Sequence, residues 1–173
     1  MTIGIISAAM AARPLTDGEI ALALPAFGAA FDYARVRIAA GWAGNAIAAA
    51  AFANGHPAIT LGRRVHFHRR ALAAFGASEA GKALLIHELI HVWQYRKLGL
   101  VRFLLRYVRE FAQAGFHAPS LYSYVPGETR FGEATLEAQA QMAGDYSIAR
   151  WRGDEEALRR LARNLAGSGL YGL

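Results

Sequence analysis

His87 and His91 stand four residues apart with Glu88 between them, in the stretch HELIHVWQ at 87–94. On a helix, residues four apart lie one above the other at roughly 6 Å, so both imidazoles can point at one metal ion. Glu88 is turned about 100° away, too far round to be a third ligand but close enough to reach a water on that ion. This is the arrangement of zinc hydrolysis. The metal makes the water acidic and polarises the scissile carbonyl, while the glutamate takes the water's proton and delivers it to the leaving amine. The competing reading is a helix with two core histidines satisfied by ordinary hydrogen bonds.

A catalytic zinc normally has a third protein ligand. The extended form of the motif, which continues with Gly and a third His, does not fit, because Gln94 and Lys97 occupy those positions. The ligand is expected from GEATLEAQAQMAGDY at 132–146. There Glu137 shares a helical face with Ala134, Ala140, Gln141 and Gly144, whose small members would let this helix pack closely on the first. Glu137 is preferred to Glu133, one turn earlier on the same stripe, and to Asp145 further along. Gln141 is expected to orient a ligand histidine.

The remaining candidates read more blandly. His66 and His68 point to one side of an expected edge strand beside Arg64 and Arg70, which makes them solvated. His56 precedes Pro57 in a loop and is assigned no chemistry. His117, Tyr122 and Tyr124 lie between the two ligand helices, where one of them could stabilise an oxyanion. Arg102, Arg106 and Arg109 share a helix face that reads as solvated, with a membrane or partner surface as the alternative.

The elements that must position these residues follow from periodicity. Residues 14–31 read as a short helix opened by Thr16 and Asp17 and interrupted by Pro25. Tyr33, Val36 and Ile38 alternate with arginines as in a half-buried strand, and 58–70 alternates again as a second. The Ala- and Gly-rich stretch 39–55 fits either type of element. From Ser78, an N-cap candidate, to Gly99 the period is helical, and one helix carries the whole motif. A second amphipathic helix, a loop with a Pro126-Gly127 turn, a long helix from about 132 to 152, a last basic helix and a frayed Gly-rich tail complete the chain.

Composition sets the outer limits. A chain of 173 residues with 54% hydrophobic and 18% charged residues has the size and make-up of one globular domain, here 1–173. With no cysteine in the chain, disulfides and thiolate sites are excluded, so a transition metal must be held by His and carboxylate. The net charge of +6 suits an anionic partner but equally serves solubility, and no sequence-specific nucleic-acid motif accompanies it. The apolar N-terminal stretch 1–13 has no basic residue ahead of its apolar run, which argues against a secretory signal and for a cytoplasmic protein. The longest apolar run, 46–53, is far short of the roughly 20 residues of a membrane span.

Taken in order, LTDGEIALALPAFG, VRI, AITLG, HELIHVWQY and EAQAQMAGDY resemble the zincin-like metallopeptidase domains of bacterial contractile-injection-system-associated and Vgr-related proteins. The resemblance covers about the first 150 residues. It implies a zincin-like α+β fold, with a small sheet on the motif helix and a second helix supplying a Glu ligand. It also implies Zn²⁺ on His87, His91 and Glu137. The expected activity is zinc-dependent hydrolysis of a peptide or protein substrate with Glu88 as general base. The alternative is a zinc-binding scaffold or adaptor of an injection apparatus, without turnover, and export by such an apparatus goes with either.

Overall fold

The computed structural model describes residues 12–74 and 76–173. The reading of stretch 1–13 as lacking a secretory signal falls outside the described residues apart from Ala12 and Arg13. The architecture is α+β, a three-stranded sheet against a mostly helical body. None of the helices among the described residues is long and apolar enough to cross a membrane.

Helix α1 (Asp17–Phe27) begins with a reciprocal cap: Thr16 Oγ1 accepts from the Glu19 N–H at 3.2 Å, and Glu19 Oε2 accepts from the Thr16 N–H at 2.8 Å. Arg13 grips the same buried carboxylate with two bonds of 2.8 and 2.7 Å. Its backbone bridges Ile38 in strand β1 (Arg37–Ala40), so one ion pair ties the start of α1 to the sheet. A 3₁₀ turn at Tyr33–Arg35 shortens the strand expected from alternation.

The ambiguous Ala-rich stretch yields helix α2 (Ala46–Ala53), capped by Asn45, whose side chain accepts from the Ile47 and Ala48 N–H groups. The single strand expected over 58–70 is a hairpin of β2 (Ala58–Leu61) and β3 (Arg64–Phe67). Gly62, at φ +64°, makes the turn that alternation alone does not reveal. The sheet order is β1-β3-β2, with β1 parallel and β2 antiparallel to β3. Strand β3 is therefore central, not an edge. His66, expected to be solvated, is fully buried, with Nδ1 3.2 Å from the Gly41 carbonyl oxygen. Burial and the nearby Arg64 lower its pKa more than that bond raises it. Val65 and Phe67 fill the opposite face and join the main core.

A short helix α3 (Arg69–Ala74) leads to α4 (Glu79–Leu98), which carries the motif. Ser78 Oγ caps α4 by accepting from the Gly81 N–H, and Gly99 ends it at φ +76°. Leu85, Ile86, Leu89 and Ile90 are all inaccessible, so α4 is buried nearly all round and forms the axis of the molecule. Helix α5 (Leu100–Gln113) follows at once. After 3₁₀ turns at Ala118–Tyr122 and Phe131–Glu133 come α6 (Leu136–Arg152) and α7 (Glu155–Leu165). Helix α6 starts four residues later than periodicity suggested, because Thr135 caps it through the Ala138 N–H.

The C-terminal part holds the expected Pro126-Gly127 turn and overturns one expectation. Asn164 of α7 organises the Pro126-Gly127 loop, donating to the Val125 and Thr129 carbonyls at 3.0 and 2.6 Å and accepting from the Gly127 N–H at 2.7 Å. The tail is not frayed: Leu170 is buried in the core, and Tyr171 bonds the Ala143 carbonyl through its hydroxyl at 2.8 Å.

The Arg13–Glu19 grip makes stability pH-dependent. Burial alone would raise the Glu19 carboxyl, but Arg13 and Thr16 outweigh it and lower its pKa. A lowered folded pKa contributes stability in full above the ordinary carboxylate value and loses it as pH falls through the folded one. Glu19→Gln should therefore cost about 2 kcal/mol at pH 7, with the gap to wild type narrowing in acid, as read by urea unfolding across pH. A gap that widens as pH falls would remove this ion pair as a stabilising element.

Candidate metal centre

Helix α4 presents His87 and His91 on one side, and α6 lies across them. The approach is close because Gly144 lacks a side chain: a Cβ there would sit 3.4 Å from the Ala83 carbonyl oxygen. It brings Glu137, in the first turn of α6, over the two imidazoles. Glu137 Oε2 lies 3.1 Å from His87 Nε2 and 3.2 Å from His91 Nε2, and the two nitrogens are 3.2 Å apart. All three residues are buried, and among the described residues they form one metal-capable group.

This triangle fits a divalent ion. Ligands at the usual 2.0–2.1 Å from tetrahedral zinc are about 3.3 Å from one another, close to all three edges. Three ligand-type atoms this close to one another could hold a single ion. The charges at this point depend on one another. Burial opposes the Glu137 carboxylate, yet His91 and His87 hold it well below the usual range. Burial likewise opposes a charged His91, but Glu137, Glu88 and Gln94 together raise it to about 9.

Gln94 is the residue that spacing arguments passed over. Its Oε1 accepts from His91 Nδ1 at 2.8 Å, which leaves Nε2 free to face the centre. Its Nε2 donates to the Leu136 carbonyl at 3.0 Å and to Gln139 Oε1 at 2.9 Å. Gln139 in turn donates to the Phe131 and Ala134 carbonyls. This chain of amides locks the His91 ring to the backbone beside Glu137. Gln94 lies three residues after His91, hence on the same helical side, and that spacing was the available signal. Gln141, expected in this role, instead donates to Asp145 Oδ1 at 2.8 Å and hydrogen-bonds neither histidine.

Glu88 stands outside the triangle. Its Oε2 accepts from Thr60 Oγ1 on β2 at 2.7 Å, a contact between residues 28 apart that no local pattern announces. Tyr122 stacks on the His87 ring at 5.9 Å with 19° between planes. Burial first, then Glu137, Tyr107 and Glu88, pushes its pKa far above the ordinary phenol value, so it stays an O–H donor. Tyr124 donates to Asp145 Oδ2 at 2.5 Å, which with Gln141 engages both oxygens of that carboxylate. Glu133 is exposed in the 3₁₀ turn before α6, not on its stripe. His117 is exposed and paired with Ser120 Oγ, and His68 packs edge-on against Phe52. His56, assigned no chemistry, lines two adjoining cavities of about 250 and 350 Å³ that share Ala58, His87, Glu88 and Tyr122 and together form a cleft across the centre.

Against known proteins, residues 14–99 match the eCIS core domain, a span from the approach to α1 to the end of α4 that includes both histidines. The chain is 31% identical over 147 residues to the type VI secretion system spike protein VgrG2b of Pseudomonas aeruginosa. That match covers 81% of this chain but only 13% of the spike protein. The solved effector domain of Pseudomonas aeruginosa VgrG2b superposes with a TM-score of 0.63 at 27% identity, covering 92% of this chain and 84% of that one. The chain is thus related to the Vgr and contractile-injection-system proteins.

Two expectations follow for metal binding. Purified protein should take up about one zinc, lost on His87→Ala, His91→Ala or Glu137→Ala and kept on Glu133→Ala, as measured by elemental analysis after dialysis. Loss with Glu133→Ala and retention with Glu137→Ala would relocate the third ligand. Gln94→Ala should weaken zinc affinity 10- to 100-fold in competition with a chromophoric chelator, the usual effect of removing an outer hydrogen bond. Unchanged affinity would show that the His91 ring is held without it.

Proposed function

We propose that the chain forms, over residues 1–173, a zincin-like peptide hydrolase that works with a contractile injection apparatus, with Zn²⁺ on His87, His91 and Glu137 and Glu88 as general base. The observation that carries this reading is the near-equilateral triangle of two imidazole nitrogens and a carboxylate oxygen with a second carboxylate, Glu88, buried beside it on the cleft. A purely structural ion has no use for such a base.

The bound ion would supply Lewis acidity, acidifying a water and polarising a carbonyl. The chain's own residues do the rest. Thr60 engages one oxygen of Glu88, leaving the other to take the water's proton and pass it to the leaving amine. Tyr122, kept protonated by its surroundings, can donate to the oxygen of the peptide carbonyl as negative charge gathers there. Gln94 keeps the His91 ring in the tautomer and orientation that a ligand needs. The cleft gives a peptide or protein chain room beside His87 and Glu88.

The likeness to a spike protein and to its effector domain favours delivery by the apparatus and also supports a second reading, a zinc-bearing adaptor without turnover. Glu88→Gln separates the two. Gln keeps an acceptor for Thr60, so zinc content and melting temperature should stay within error. Cleavage of a broad peptide library should fall about 10²- to 10⁴-fold, the usual worth of a positioned base. Equal cleavage by the variant would end the general-base assignment, and a metal-loaded wild type that cleaves nothing in the library would favour the adaptor.

A further inference from the structure

Helix α5 is docked through an ion pair turned inward. Arg106 donates to the Ala134 carbonyl at 2.6 Å and to Glu110 Oε1 at 2.7 Å, while Glu110 Oε2 accepts from the Leu136 N–H at 2.9 Å. These bonds and the buried Phe103 pin α5 beside the start of α6. Arg106 is therefore not the solvated residue its spacing suggested.

The opposite side is aliphatic, and no described residue covers it. At 100° per residue, Leu100, Leu104, Val108, Val101 and Leu105 span an arc of about 140°. Val101, Leu105 and Val108 are 68%, 67% and 64% exposed. Five of the exposed large hydrophobic residues lie together on this one helix face, and a contiguous apolar patch of this kind marks an interaction surface. The exposed charges of α5 are Arg102 and Arg109, which border the arc on one side, and the one acidic residue of the helix, Glu110, is turned into the protein. The apolar surface continues across the mouth of the cleft, where exposed Ile47 of α2 faces Leu104.

A stripe of leucine and valine bordered by arginines alone, on a chain of net charge +6, is complementary to a surface that is apolar beneath and anionic at its rim. We propose that α5 seats the protein on an anionic membrane, aliphatic arc in the acyl boundary and Arg102 and Arg109 among the headgroups, with the cleft opening beside the bilayer. The 14 residues of α5 give about 21 Å of contact, enough for a helix lying in the interface and too short to span it.

The test is sedimentation of the full chain, zinc-loaded, with vesicles of phosphatidylcholine alone or mixed with phosphatidylglycerol. Binding to the mixed vesicles is expected, with weaker binding to the neutral ones. Val101→Glu/Leu105→Glu should abolish it, and Arg102→Ala/Arg109→Ala should weaken it about 30-fold. All four positions are exposed, and circular dichroism and zinc content confirm that each variant is folded. Wild type that stays in solution with both vesicles overturns the proposal. So does binding that survives Val101→Glu/Leu105→Glu, which would be attraction by net charge alone. A concentration-dependent dimer that the same variant dissolves, without vesicle binding, would assign the face to a second copy of the chain and also overturn it.

Discussion

One buried carboxylate between two imidazoles is the constraint around which the molecule is arranged. Glu137 is removed from water, where its charge is costly, and it stays ionised only because the α4 histidines supply compensating positive charge or a cation does. That exchange requires the two helices to touch, which requires Gly144 against Ala83. It also requires Glu137 to fall in the first turn of α6, which the Thr135 cap ensures by setting where that helix begins. The Arg106–Glu110 pair then fixes the same corner from outside by engaging the Ala134 carbonyl and the Leu136 N–H.

The buried polar groups around this point are satisfied in a way that makes them rigid. Each end of the Gln94 amide has a partner, and those partners belong to two different helices, so neither helix can slide without breaking several bonds. Glu88 is held differently, by a hydroxyl from the sheet. His91 is thus braced by helices and Glu88 by a strand, which keeps the two carboxylates, Glu137 and Glu88, geometrically separate.

Much of this was legible in the chain because it rests on local rules. Ser78 and Gly99 bracket α4, the spacing of His87 and His91 turns both to one side, and the small residues of α6 mark the face that approaches them. What was not legible is pairing at a distance. Reading 58–70 as one edge strand made His66 a surface residue, because alternation describes a sheet with one wet face. Strand β3 instead lies between a parallel and an antiparallel neighbour and is covered on both faces. The register of β1 on β3 joins residues 27 positions apart, such as Arg37 and Arg64, and nothing in either segment declares it. Thr60 was hidden for the same reason. Gln94 was visible as a departure from an extended motif, but its meaning depends on the carbonyl of Leu136, which only packing brings near. The tail looked frayed because glycines usually mean freedom, yet here they let Leu170 turn into the core.

The separation of the ligands along the chain also bears on when the centre comes into being. Glu137 is 50 and 46 residues from its partners, with a helix and two 3₁₀ turns between. Closing such a loop carries an entropic cost that only docking of α6 on α4 repays. The portion that matches the eCIS core ends at Gly99 and holds the histidine pair without the carboxylate that completes it. Without α6 the histidine pair would lack Glu137 and the carbonyl and amide partners that Gln94 finds on that helix. The three-residue group is therefore a property of the docked arrangement of α4 and α6 and of neither helix by itself.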